Sequence, residues 1–232
     1  MGTTQPVALV TGSRGGIGSA TVRRLERDGF RVHGWARPEV DVSDAASVAA
    51  AMAELLEREG RLDALVTTAG VLRTGPLHTM TDDLWREVMS INLDGVFHVN
   101  RAALAAMLET GGGAIVNLSS VHAVATVPGT AAYAATKAAV EALTTSIAIE
   151  YADAGIRANS IVVGSVDTKM SVEHGRQIAA EGYSVGRAPG AVGRMAAPEE
   201  IAAVAAHLLS PDASFVTGAR IVADGGLTTR LM

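Results

Sequence analysis

The chain reads as α/β: a doubly wound parallel sheet of about seven strands with helices on both faces, forming one dinucleotide-binding domain over residues 1–232. Three observations predict it. Apolar runs of strand length alternate with longer helical stretches along the whole sequence. The first run breaks into a glycine-rich turn that opens a helix, the context in which such glycines carry meaning. No repeat, linker or low-complexity tract divides the chain.

The elements follow in order. Residues 7–11, Val-Ala-Leu-Val-Thr, form a continuous apolar run suited to a strand buried on both faces. Gly12-Ser13-Arg14-Gly15-Gly16-Ile17-Gly18 ends it, and Ala20, Val22 and Leu25 begin an amphipathic helix that Gly29 is placed to close. Residues 31–35 read as a second strand. Residues 35–41 leave no room for a crossover helix, so a short loop is expected to join the second and third strands. Then come a helix over 45–59, a strand over 64–67, a long helix within 81–108 and a strand over 114–118. A helix over 131–152, a strand over 157–163, a loop of some thirty residues, a helix over 199–209 and a strand over 219–223 complete the pattern. Right-handed crossovers place such helices on both faces of the sheet.

Composition narrows the function. Hydrophobic residues make up 48% of the chain, enough for a sizeable core, and only eight are aromatic (three Phe, three Tyr, two Trp), so close helix packing through Ala and Gly is expected. The 24 acidic residues exceed the 19 basic ones without a basic cluster, which argues against nucleic-acid binding. No signal-like opening and no apolar run near 18 residues is present, so no membrane association and a cytoplasmic location are expected. Zero Cys excludes disulfides, thiolate catalysis and Cys-ligated zinc, and no metal site is expected. Of the 19 basic residues only Lys137 and Lys169 are Lys, so each of the two raises the question of why it is not Arg.

The glycine turn suits a pyrophosphate. Gly12 allows the tight turn, Gly16 lets backbone approach the phosphates at the helix N-terminus, and Gly18 lets helix and strand pack closely. At the end of the second strand, Trp35-Ala36-Arg37-Pro38 offers Arg where an NAD site places a carboxylate. Arg37, assisted by Arg14, would pair with a 2′-phosphate, so NADP(H) is favoured over NAD(H). Glu39 remains within reach of a ribose, and Arg37 is alternatively one more solvated arginine.

Tyr133-Ala134-Ala135-Thr136-Lys137 sets a phenol and an ammonium four residues apart on one helical face. A nearby positive charge lowers a phenol's pKa and makes it usable as a general acid/base. Its neighbours are nearly all Ala, Thr and Val, which disfavours an ordinary surface ladder. Ser119-Ser120 stand at the carboxyl edge of the 114–118 strand, where ligands sit in open α/β sheets. Asn92 lies inside the long helix, a mildly unfavourable place, and reads either as an interruption that holds a water or as an exposed or backbone-bonded Asn.

These elements together resemble the short-chain dehydrogenase/reductase family. The resemblance covers essentially the whole chain: Thr11-Gly12 with Gly16-Ile17-Gly18, Thr67-Thr68-Ala69-Gly70, Ile91-Asn92-Leu93, Ser120, Tyr133 with Lys137, and Asp224-Gly225-Gly226. It is similar to 3-oxoacyl-carrier-protein reductases and to bacterial diol and sugar-alcohol dehydrogenases. The interval from Ser120 to Tyr133 matches the family and selects Ser120 over Ser119.

The resemblance implies a Rossmann-like fold, oxidoreduction between a secondary alcohol and a ketone, and a homotetramer or homodimer. It also implies that Tyr133 exchanges a proton with the substrate oxygen, that Ser120 positions that oxygen, that Lys137 tunes Tyr133 and binds the nicotinamide ribose, and that Asn92 holds a water leading from Lys137. Ser13, Arg14 and Ile17 belong to the implied phosphate turn. Asp41 and Val42 are implied beside adenine, Thr68, Ala69 and Gly70 beside the adenosine ribose, and Val166 and Thr168 at the carboxamide. The family's Asn-Asn-Ala-Gly is Thr67-Thr68-Ala69-Gly70 here, which is expected to weaken a strand-stabilising bond; its Pro-Gly after the sixth strand is Val163-Gly164.

Substrate choice is expected in residues 165–193, with Met170, His174 and Tyr183, and beyond Ser120 at His122 and Val124; the glycines suggest a lid. The substrate is a small carbonyl or alcohol. A different class stays open: a dinucleotide-binding regulatory or scaffold protein of the same fold without turnover. The small-residue helices around Ala102–Ala106 and Ala138–Ala148 serve either a subunit interface or the monomer core.

Overall fold

The computed structural model describes residues 5–180 and 191–229. Six strands form one fully parallel sheet: β1 (Val7–Thr11), β2 (Arg31–Trp35), β3 (Ala64–Thr67), β4 (Gly113–Ser120), β5 (Ile156–Val163) and β6 (Arg220–Ala223). Their spatial order is β2-β1-β3-β4-β5-β6, so the winding reverses between β1 and β3 and opens a crevice at their carboxyl ends. Among the described residues, seven α-helices connect them: α1 (Gly16–Arg27), α2 (Ala45–Glu59), α3 (Asp82–Met89), α4 (Gly95–Thr110), α5 (Ala131–Glu150), α6 (Lys169–Ala180) and α7 (Pro198–Leu209).

The two-residue period of each strand divides the core. Leu9, Leu65, Ile115 and Ala158 face one side, where Met52 of α2, Met107 of α4 and Ile147 of α5 cover them. Ala8, Val10, Val66, Val116 and Ile161 face the other, under Leu25 of α1 and Ile201, Ala205 and Leu208 of α7. Strands buried on both faces explain the continuous apolar runs of the sequence.

Three expectations are corrected. The described residues hold six strands, and no strand follows a short loop after Trp35: residues 36–44 form a connection with Val40 and Val42 buried, and α2 itself is the crossover to β3. Nine residues are too few for both a helix and a strand, and the Asp44 side chain caps α2 by accepting from Ala46 N at 2.9 Å. The long helix of residues 81–108 is broken by a π-helical turn over Ser90–Asp94, whose extra residue turns Asn92 inward. Twelve residues of the expected thirty-residue loop form α6, which Thr168 starts by accepting from Ser171 N at 3.3 Å and Ile178 anchors in the core. Gly175 within it made the segment read as loop. The expected lid position Tyr183, together with Arg187, lies outside the described residues.

Candidate active site

The site grows from the carboxyl ends of β1, β3 and β4. Gly12 ends β1 at φ +65°, and a Cβ there would lie 2.7 Å from Ala69 N, so β1 and the turn after β3 touch through backbone alone. A Cβ on Gly18 would stand 2.2 Å from Gly12 O, which fixes how closely α1 follows the turn. Gly15 caps α1 without a side chain, and no acidic residue occupies the first turn. The N–H groups and the positive end of the helix dipole therefore face the crevice without a protein anion, a cradle suited to a pyrophosphate.

At one end of this cradle Arg14 is engaged twice. Its Nη2 pairs with Glu39 Oε1 at 2.7 Å and its Nη1 donates to Arg37 O at 2.8 Å. Asp41 accepts from Ser43 N at 3.0 Å and Ser43 Oγ at 2.7 Å, which hold its carboxyl below the usual range. Ser13 does not line the crevice: its N donates to Trp35 O, and its side chain packs where a Cβ on Gly34 would sit. The substituted Thr67 and Thr68 still make strand-joining bonds. Thr67 Oγ1 donates to Asn117 Oδ1 at 2.8 Å and Thr68 Oγ1 to Thr11 O at 2.6 Å.

The other end is catalytic in character. Ser120 closes β4, while Tyr133 and Lys137 stand one turn apart on α5, buried to 9% and 6% exposure. Burial pushes the Tyr133 phenol up to about 12, opposed by its hydrogen bond with Ser120. Burial also brings the Lys137 ammonium down to about 8. The phenol thus moves opposite to the expected direction. Lys137 Nζ donates to Leu118 O at 2.9 Å and lies 5.6 Å from the Tyr133 ring centroid, and the loss of water outweighs its charge in the resting phenol. The Ser119 hydroxyl is occupied, donating to Glu141 Oε1 at 2.7 Å, while Ser120 of the pair bonds the phenol.

Asn92 is fully buried and does not line the crevice. Its side chain clamps the Val71 main chain, accepting from Val71 N and donating to Val71 O, both at 2.8 Å. A Cβ on Gly70 would lie 3.3 Å from Asn92 Oδ1 and 4.0 Å from Lys137 Nζ, so the three groups converge there.

One cavity of about 970 Å³ joins both ends. Gly12, Arg14, Gly16, Ile17 and Gly18 line it, with Arg37, Asp41 and Val42 at one end, Thr68, Ala69 and Gly70 along the middle, and Ser120, Tyr133, Lys137, Val166 and Thr168 at the other. His122, Lys169, Met170 and His174 also face it. Leu227 and Thr228 line it as well, two residues absent from the expected site. Asp224 folds them back by accepting from Gly226 N, Thr228 N and Thr228 Oγ1, and the Asp-Gly-Gly run was the available signal. Arg73 and Arg176 are spent on Glu87 and Glu173. Among the described residues, no three His, Asp or Glu side chains gather as a metal site, and no helix is long and apolar enough to cross a membrane.

Comparison with known proteins agrees with this geometry. Residues 33–228 match the family described as Enoyl-(Acyl carrier protein) reductase. The chain is 39% identical to cis-4-hydroxycyclohexanecarboxylate dehydrogenase of Sinomonas cyclohexanicum, over 96% of each chain. It is 41% identical to a protein of Xanthobacter autotrophicus named inactive 2-(S)-hydroxypropyl-CoM dehydrogenase 2, over 81% of this chain and 83% of that one. The solved structure of an actinorhodin polyketide ketoreductase variant with NADPH superimposes with a TM-score of 0.93 at 33% identity, covering 99% of this chain and 100% of that chain. On its fold and these matches, the chain belongs to the short-chain dehydrogenase/reductase family of NAD(P)-dependent oxidoreductases acting on CH–OH groups.

Proposed function

We propose that the chain is an NADPH-using ketoreductase that converts a small-molecule ketone to a secondary alcohol, with Tyr133 as the proton donor. The observation that carries this reading is the Tyr133 phenol: buried, hydrogen-bonded to Ser120, and facing the same cavity as the glycine turn. A phenol raised to about 12 is protonated at neutral pH, the state required to donate to a carbonyl oxygen. Ser120 orients that oxygen, and Lys137 places a positive charge behind the phenol as negative charge develops on it. Asn92 holds the Val71 turn against Lys137. The nicotinamide, when bound, supplies the hydride. Gly12, Gly16, Ile17 and Gly18 would hold its pyrophosphate, with Ser13 shaping the turn from behind. Arg14 and Arg37 would hold a 2′-phosphate, Asp41 and Val42 the adenine, Thr68, Ala69 and Gly70 the adenosine ribose, and Val166 and Thr168 the carboxamide.

The whole chain acts as one such domain in the cytoplasm, assembled as a homotetramer or homodimer, with residues 165–193 bounding the substrate. A screen of NADPH oxidation across β-ketoacyl thioesters, cyclic ketones, diketones and sugars identifies the carbonyl. Against any accepted substrate, Tyr133→Phe lowers turnover by at least about a hundredfold while NADPH still binds by fluorescence titration. Full activity in that variant would remove the mechanism. Cofactor binding with no turnover of any carbonyl by the parent would instead favour a binding protein.

A further inference from the structure

The cavity wall beside the phenol carries a histidine whose protonation pattern the surrounding hydroxyls dictate. Thr130 Oγ1 donates its one proton to Val127 O at 2.8 Å. The 2.7 Å bond between Thr126 and Thr130 therefore takes its proton from Thr126. With that proton committed, Thr126 Oγ1 can only accept at its 3.0 Å contact with His122 Nδ1, so Nδ1 carries the hydrogen. In a neutral imidazole the other nitrogen, Nε2, is then an acceptor with its lone pair free, and no described residue bonds to it.

His122 stays neutral: burial and the neighbouring His174 bring it down to about 4. Its ring stands edge-on to Tyr133 with centroids 5.6 Å apart, and edge-on to His174 at 5.9 Å. Val121, Ala125, Val127, Met170 and Ile178 line the same cavity, along with the polar His174 and Lys169. An acceptor set in such a wall beside the reacting oxygen has a defined complement, a hydroxyl group on the substrate.

We propose that His122 Nε2 selects hydroxyketones and diols, accepting a hydrogen bond from a hydroxyl one or two carbons from the reacting carbonyl. The proposal rests on the ketoreductase reading above and names its substrate class. A keto acid is disfavoured at this position, because a carboxylate has only acceptors to offer and burial opposes a second proton on the ring.

Two measurements test it. Nitrogen NMR of the imidazoles, with His122 assigned by its loss in His122→Leu, is expected to show Nδ1 protonated and Nε2 bare at neutral pH; the reverse tautomer overturns the proposal. Steady-state reduction is then compared for matched probes: 3-hydroxybutan-2-one against butan-2-one, 2-hydroxycyclohexanone against cyclohexanone, and 3-oxobutanoate as the keto acid. The parent should favour each hydroxyketone in kcat/KM by about tenfold or more, the span of one well-made hydrogen bond to a substrate hydroxyl. His122→Leu should lose that preference, the hydroxyketone-to-ketone ratio of kcat/KM falling towards one, and Thr126→Val, which frees the tautomer, should lose part of it. An unchanged preference in His122→Leu, or a parent that favours 3-oxobutanoate, overturns the proposal. If the parent reduces none of these probes nor any carbonyl in the wider screen, the ketoreductase reading fails and the proposal with it; reduction of simple ketones without hydroxyl preference fails the proposal alone.

Discussion

Burying the Lys137 ammonium is costly, and the cost has a pH signature. Its fall from 10.5 to about 8 means that below pH 8 the group is charged in both folded and unfolded chains and the folded state carries the whole desolvation penalty. Between pH 8 and 10.5 the folded chain releases its proton first, so the penalty fades as pH rises. The shift corresponds to about 3 kcal/mol at most, of which losing the bond to Leu118 O would return about 1. Lys137→Met should therefore raise the melting temperature at pH 7, by roughly 2 kcal/mol of stability, with the gain shrinking towards pH 10 while activity is lost. A variant less stable than the parent at pH 7 would show that the ammonium is better solvated than its burial indicates. The pairing of Tyr133 with Lys137 was legible because four residues make one helical turn. The direction of the phenol's pKa was not, since burial of α5 against β4 is a tertiary property that local spacing does not carry.

At the scale of elements, the buried strands and the helix after the glycine turn were legible from periodicity, and the misreadings have local causes. Asn92 looked like a helix defect and is one: the π turn aims its amide at Val71. Gly175 interrupts the helical pattern of α6, and residues 36–44, with no room for a helix, pointed to a short loop between strands where α2 makes the crossover. The connection over 36–44 sets the cofactor question. Arg14 is held by the exposed Glu39 carboxylate, which would compete with a 2′-phosphate for that guanidinium. Glu39→Gln removes that competing charge and releases the guanidinium, so the preference for NADPH over NADH in kcat/KM should rise by about three- to tenfold at low salt and less at high salt. An unchanged ratio would mean that Glu39 swings away on binding, and a parent that clearly prefers NADH would remove the NADP(H) reading.

For the whole molecule, the layer of α2, α4 and α5 leaves apolar surface that the monomer does not cover. Phe97 and Leu108 stand three turns apart on α4, 43% and 47% exposed, with Arg101 stacked 4.9 Å over the Phe97 ring and the small Ala105 between them. Ile149 on α5 is 76% exposed. Large apolar side chains aligned on one helical face, with small residues between them, suit close approach of a second helix more than contact with water. A closed two-fold pairing of this face with its copy would cover Phe97 twice, once in each subunit, so a single substitution acts on both sides of the contact. Phe97→Asp should then lower the mass seen by light scattering from tetramer or dimer to a smaller species, while the isolated fold, which keeps Phe97 outside its core, melts within about 1 kcal/mol of the parent's stability. A parent that is monomeric at working concentration, or a variant whose mass is unchanged, would place the subunit contact elsewhere or remove it.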